Sequence, residues 1–167
     1  MAGMPPPGRM RTGWGFDAHR LGGEPPLVLG GVVVSETDGV LATSDGDVAA
    51  HALTDAVLGA AVLGDMGEHF PSSDPAWAGA DSIGMLSRAV RMAAEAGWKV
   101  EHADVTVVAE WVRVAPHREE MRWRLAGALE ADPSRVSVKA TTTDGLGFIG
   151  AGEGIAAMAV VTLREAG

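Results

Sequence analysis

The chain has 167 residues, is 47% hydrophobic, contains no cysteine, and carries a formal net charge of -9 from 13 basic and 22 acidic side chains. That length suits one domain with a substantial core, and the lack of cysteine excludes disulfides and thiolate metal sites, so any transition metal must be held by His and carboxylates. Such acidity is a poor match for a nucleic-acid backbone, and no apolar run approaches the roughly 20 residues of a membrane span or forms a secretory leader, which points to a soluble, cytoplasmic protein.

Residues 1–10, with Pro5, Pro6 and Pro7, are expected to be a disordered leader, and residues 11–167 a single domain. Arg11 to His19 alternates as a strand does, which puts Asp17 and His19 on one face. Gly30-Gly31, between Leu27–Leu29 and Val32–Val34, signals a two-residue hairpin. Ser44-x-x-Asp47 reads as a helix start with Ser44 at the N-cap, and the helix should run to about Leu63 or Gly64. On that helix Asp47, His51 and Asp55 are spaced to project from one side.

Residues 64–75 form a long stretch of turn formers and acids, which reads either as a binding loop or as a solvated crossover with Asx-turns. Asp81 is a natural N-cap for a helix from Ser82 to Ala96, closed by Gly97. Trp98 to Ala109 reads as a strand, 110–115 as a loop, and Pro116 as the first turn of a helix to about Glu130. Arg135 to Ala140 and Ile155 to Leu163 complete the strands. The order predicts an α/β (α+β) domain: a mixed sheet with helices packed on one face, plus a small hairpin.

Two passages carry chemistry. Asp17 and His19 from a strand, with His51 from a helix, supply a carboxylate and two imidazoles, the donor mixture of zinc centres that keep a position open. Taken singly, Asp17 also reads as a turn residue, His19 as a polar strand end and His51 as a structural histidine. The second passage, Thr141 to Gly154, spells a dinucleotide-binding glycine pattern at Gly145, Gly147 and Gly150, but it lacks the following helix and distant acid that the pattern requires. Its hydroxyls and flexible backbone suit a phosphate cradle with Asp144 holding a metal, or else a glycine-rich hairpin without a ligand.

Taken together and in order, Gly15-Phe16-Asp17-x-His19, Ser44-Asp45-Gly46-Asp47-x3-His51-Ala52-Leu53-x-Asp55-Ala56, Gly64-Asp65-x-Gly67, Ala140-Thr141-Thr142-Thr143 and Gly152-Glu153-Gly154-Ile155-Ala156-Ala157 resemble the 2-C-methyl-D-erythritol 2,4-cyclodiphosphate synthase family. The resemblance implies a metal-dependent lyase that cyclises a cytidine diphosphate derivative and releases CMP. It also implies a homotrimer whose sheets face the trimer axis, with sites between subunits. By similarity Asp17, His19 and His51 would hold Zn2+, and Asp144 a Mg2+ or Mn2+ ion on the diphosphate. Asp17, His19, Ser44, Asp65 and Gly67 would meet the methylerythritol phosphate, closed over by the Phe70 to Asp74 loop. Ala109, Arg113 and Ala115 would cradle cytosine, and Thr141, Thr142, Thr143, Asp144 and Phe148 would line the phosphate side.

Thr142 and Thr43 would act in catalysis. Thr43 stands where the family usually has His, Ser72 replaces an acid, Val112-Arg113 replaces Pro-Lys, Ala151 replaces Arg and Asp144 replaces Glu. Those departures leave a second reading, a zinc-binding homologue of weak or no activity serving as a ligand-binding or interaction module. An unrelated zinc hydrolase would share the ligands but has no use for Thr141 to Gly154.

Overall fold

The computed structural model describes residues 8–167, so most of the expected leader, residues 1–7, lies outside the described residues. Along the chain stand β1 (Met10–Leu21), the hairpin β2 (Leu27–Leu29) and β3 (Val32–Ser35), β4 (Val40–Leu41), α1 (Val48–Ala61), α2 (Met66–His69), α3 (Ser82–Glu95), β5 (Trp98–Val108), α4 (Arg118–Ala128), β6 (Val136–Thr141), α5 (Gly147–Gly150) and β7 (Gly154–Glu165). The main sheet has the order β4-β1-β7-β5-β6. Its β5–β6 pair is parallel and its other pairs antiparallel, so the sheet is mixed, as the element order predicted.

The packing of α1 on β1 determines where everything else sits. Gly13 and Gly15 are buried while Trp14 and Phe16, which alternate with them, are exposed. A Cβ at Gly15 would fall on the carbonyl oxygen of Ala52, and one at Gly13 on that of Ala56. Only glycine lets strand and helix backbones approach this closely. The same face of β1 continues through Asp17 and His19, which therefore point toward the first turns of α1. Gly15→Ala should cost about 1–3 kcal/mol of stability, because its methyl meets main chain that no rotamer change can move aside. Denaturant unfolding of the variant checks this, and an unchanged midpoint would show that the layers can part freely.

Local chemistry refines the expected boundaries. The N-cap of α1 is Asp47, not Ser44: its carboxylate accepts from Ala49 N at 3.1 Å and Ala50 N at 3.0 Å. Ser44 Oγ instead accepts from Gly46 N at 3.2 Å, in the turn that precedes the helix. Pro116 lies in a separate single turn, Ala115–His117, and α4 begins only at Arg118. The stretch 64–75 contains α2 and opens a further turn at Pro75–Trp77, both capped by aspartates. Within the glycine passage α5 has only 4 residues and the chain then enters β7, so the long helix a dinucleotide fold requires is absent there. None of the helices among the described residues is long and apolar enough to cross a membrane.

Candidate metal centre

His51 lies on the second turn of α1, directly over the strand face that carries Asp17 and His19. Asp17 Oδ2 is 2.9 Å from His51 Nδ1 and 3.1 Å from His19 Nε2, and the two ring nitrogens are 3.4 Å apart. Four ligands around zinc at about 2.0–2.1 Å stand roughly 3.3 Å from one another, so this trio has the spacing of three tetrahedral donors sharing one ion. Among the described residues Asp17, His19 and His51 form a group able to hold a metal ion, which matches the expected ligand set.

The electrostatics agree. Burial pushes the Asp17 carboxyl up, but hydrogen bonds and charge from His19 and His51 outweigh it and hold the group well below the usual carboxylate range. Burial pulls His51 down, yet Asp17, with Asp47 and Asp45 behind it, leaves the imidazole raised. In the metal-free protein this pair stabilises the fold above the unfolded carboxyl value of about 3.9 and below the unfolded imidazole value of about 6.5. That contribution is lost as pH falls through the lowered Asp17 value or rises through the raised His51 value. A cation held by the trio would displace the His51 proton, so any rise in melting temperature on adding zinc should grow as the pH is raised above the ordinary imidazole value of about 6.5. A zinc effect that stays flat above that value would mean that no proton leaves His51.

Beside the trio is a cavity of about 140 Å³ lined by His19, Ala42, Thr43, Ser44, His51, Met66, Phe70, Ser72, Trp77 and Met85. The expected residues Thr43, Ser44 and Phe70 are thus brought to the metal ligands. Phe70 is buried and meets Trp77 edge to face at 5.0 Å between centroids. Asp65 and Asp74 serve as caps here, accepting from Glu68 N at 3.0 Å and Ala76 N at 2.9 Å, and Gly67 is exposed within α2. Asp55, the third residue of the expected helix stripe, accepts from Met66 N at 2.8 Å and ties α2 to α1. A larger cavity, about 360 Å³ around Trp98, Asp132 and Arg135, lies toward the opposite end of the sheet and contains none of these ligands.

The remaining expected residues form a second cluster. Ala109 N donates to Thr141 O at 3.0 Å, which joins the ends of β5 and β6, while Arg113 and Ala115 are exposed on the loop that follows. Thr142 Oγ1 accepts from Asp144 N at 3.2 Å, and Thr143 Oγ1 donates to Leu146 O at 2.7 Å. Glu110, not anticipated from the sequence, clamps this turn by accepting from Thr143 N at 3.3 Å and Gly145 N at 3.2 Å. Register places Thr141 beside Val108, Val108 beside Ala156, and His19 beside Ile155, so both clusters share one end of the sheet. They are nevertheless three strands apart, about 14 Å at the usual spacing, and one chain does not join Asp144 to the trio. Phe148 reaches between them, bordering a pocket with Ala18, His19, Arg20, Glu153 and Gly154.

A mixed sheet covered by helices on one face, with an Asp–His–His trio able to hold a metal ion beside a cavity, defines an α+β protein with a candidate metal site at one end of its sheet. The YgbB family model matches residues 10–164, and the chain belongs to that family. It is 54% identical to the 2-C-methyl-D-erythritol 2,4-cyclodiphosphate synthase of Pectobacterium atrosepticum, over 92% of this chain and 93% of that one. Its fold is similar to the bifunctional IspDF of Campylobacter jejuni, with a TM-score of 0.92 and 42% identity over 96% of this chain and 43% of that longer one. It is also similar to the Plasmodium falciparum IspF in complex with CDP, with a TM-score of 0.82 and 28% identity over 95% and 97% of the two chains.

Proposed function

We propose that the chain cyclises 4-diphosphocytidyl-2-C-methyl-D-erythritol 2-phosphate to 2-C-methyl-D-erythritol 2,4-cyclodiphosphate with release of CMP, a phosphorus–oxygen lyase step of non-mevalonate isoprenoid biosynthesis. The observation that carries this reading is the convergence of Asp17, His19 and His51, within a chain 54% identical to a relative named for that reaction. Two imidazoles and one carboxylate suit Zn2+ with a position left open, and the Asp144 carboxylate suits Mg2+ or Mn2+. When bound, such cations supply Lewis-acid stabilisation of charge on phosphate oxygens.

The protein's own work is mainly positional. The nucleophilic 2-phosphate and the β-phosphorus belong to one substrate, and a phosphate monoester is already ionised at neutral pH, so no general base is needed. Thr43, Ser44 and the Phe70 to Asp74 segment, with Asp65 and Gly67, hold the methylerythritol phosphate beside the trio. Ala109, Arg113 and Ala115 cradle cytosine. Thr141, Thr142, Thr143 and Phe148 flank the diphosphate, with Thr142 and Thr43 as donors to the charge that develops as CMP departs.

Residues 11–167 act as one domain of a cytoplasmic homotrimer with sheets facing its axis. An apolar patch supports that assembly: Trp14 pairs with Val160 and Phe16 with Met158 on the face of the sheet away from α1, and all four are exposed. In the trimer, the 141–144 segment of one subunit and the trio of the next complete one site.

Purified protein supplied with zinc and magnesium should release CMP from the cytidylated substrate well above a His51→Ala control. No excess over that control would replace this reading with a zinc-binding interaction module. Asp144→Ala should raise the magnesium concentration needed for half-maximal rate roughly tenfold or more, since it removes a charged oxygen ligand. An unchanged magnesium requirement would remove Asp144 from its role.

A further inference from the structure

His51 has two ring nitrogens, and the trio uses only one of them. Nδ1 faces Asp17 and His19, whereas Nε2 is 2.8 Å from Ser82 Oγ and 3.2 Å from Ser44 Oγ. Ser82, the first residue of α3, is fully buried. Its hydroxyl donates to Asp45 Oδ1, and its backbone N donates to Asp45 Oδ2 at 3.0 Å. A serine hydroxyl has one proton, and an ionised carboxylate can only accept. The Ser82 proton is therefore committed to Asp45, and the face of Oγ turned to His51 offers a lone pair. Nε2 must then carry the hydrogen, and in the neutral ring Nδ1 is left as the bare donor nitrogen.

We propose that Ser82 and Asp45 are positioning residues for the metal centre, a hydroxyl–carboxylate pair that fixes both the tilt of the His51 ring and its Nε2–H tautomer. The inference rests on Asp17, His19 and His51 being a metal centre, and it extends that centre to two residues that do not touch the ion. It also gives the buried side chain of Ser82 a task, because the N-cap of α3 is already supplied by Asp81, which accepts from Ile83 N. Removing a group that orients a metal-bound imidazole typically costs 10- to 100-fold in metal affinity.

The test is zinc affinity, measured by chelator competition on the full-length protein, for the wild type, Ser82→Ala, Asp45→Asn and His51→Ala. It is paired with nitrogen-15 spectra of the imidazole rings in the zinc-loaded state. The expected result is tight binding by the wild type, about 10- to 100-fold weaker binding by Ser82→Ala, a smaller loss for the nearly isosteric Asp45→Asn, and no specific site in His51→Ala. The Nε2–H signal of His51 should be slow to exchange in the wild type and lost or broadened in Ser82→Ala. A variant that merely loosened α3 would melt earlier but keep that tautomer signal. Zinc affinity within about twofold of wild type in both Ser82→Ala and Asp45→Asn, with the tautomer signal intact, overturns the positioning role and leaves the metal centre standing. Failure of the wild type to bind zinc overturns the metal reading, and the inference with it. Should Ser82→Ala fail to fold, Asp45→Asn decides between the same outcomes.

Discussion

His51→Ala should lower CMP release by at least about 1,000-fold and abolish stoichiometric zinc binding while leaving the fold intact. The magnitude follows from the several kcal/mol of charge stabilisation that a Lewis-acid ion contributes to phosphoryl transfer. The trio has no spare donor: among the described residues the group able to hold an ion consists of Asp17, His19 and His51 alone. Loss of one of three protein ligands therefore cannot be made good by a neighbour. Structurally the change is milder, because the ring is set among Ser44, Ser82 and the cavity beside them rather than in the apolar core. Zinc analysis, a rate assay and a thermal melt on the same preparation separate these effects. Full zinc occupancy with wild-type turnover would sink the metal reading.

Asp47→Ala should be the most damaging single change to stability, at about 3–5 kcal/mol, or roughly 10 °C or more in melting temperature. Asp47 is fully buried, and its two carboxylate oxygens accept from the backbone of Gly30 at 2.9 Å, Gly31 at 2.7 Å, Ala49 at 3.1 Å and Ala50 at 3.0 Å. Burial pushes the carboxyl up, and the amide bonds from Ala50, Gly31 and Gly30 work against that shift. Loss of the cap alone costs about 1 kcal/mol, and each stranded buried donor adds about 1–3 kcal/mol. The same side chain ties the β2–β3 turn to the start of α1, so its removal frees the hairpin as well as the helix. Asp47→Asn keeps one acceptor but turns an amide N–H toward backbone N–H donors, and it should fall between wild type and Ala. A melting temperature for Asp47→Ala within about 2 °C of wild type would show that water satisfies those amides.

The convergence of Asp17, His19 and His51 was legible in the sequence because each half of the trio obeys a local period. Two residues on a strand reach the same face for Asp17 and His19, and a capped helix start places His51 at a fixed height above them. The hairpin at Gly30-Gly31 and the Asp81 cap of α3 were legible for the same reason, since glycine turns and cap residues act over a few positions. Ser82, Asp45 and Glu110 were not. Ser82 lies 31 residues from His51, and Glu110 lies 33 residues from Thr143, so only tertiary packing shows which polar atoms these side chains meet. Ser44 was misplaced at the N-cap because two good cap residues stand three apart. The buried one, with four amides within reach, takes the position. β4 has only 2 residues and exists through its pairing with β1, which no local pattern encodes.

The seam where Gly13 and Gly15 meet the backbone of Ala52 and Ala56 sets the height of the metal ligands by main chain resting on main chain. Such a contact has no rotamers to exchange and so behaves as a rigid gauge block, unable to widen by small repacking as a side-chain core can. It follows that ions of different radius would have to be met by movement of the Asp17, His19 and His51 side chains, with the strand and helix that carry them held at a fixed separation.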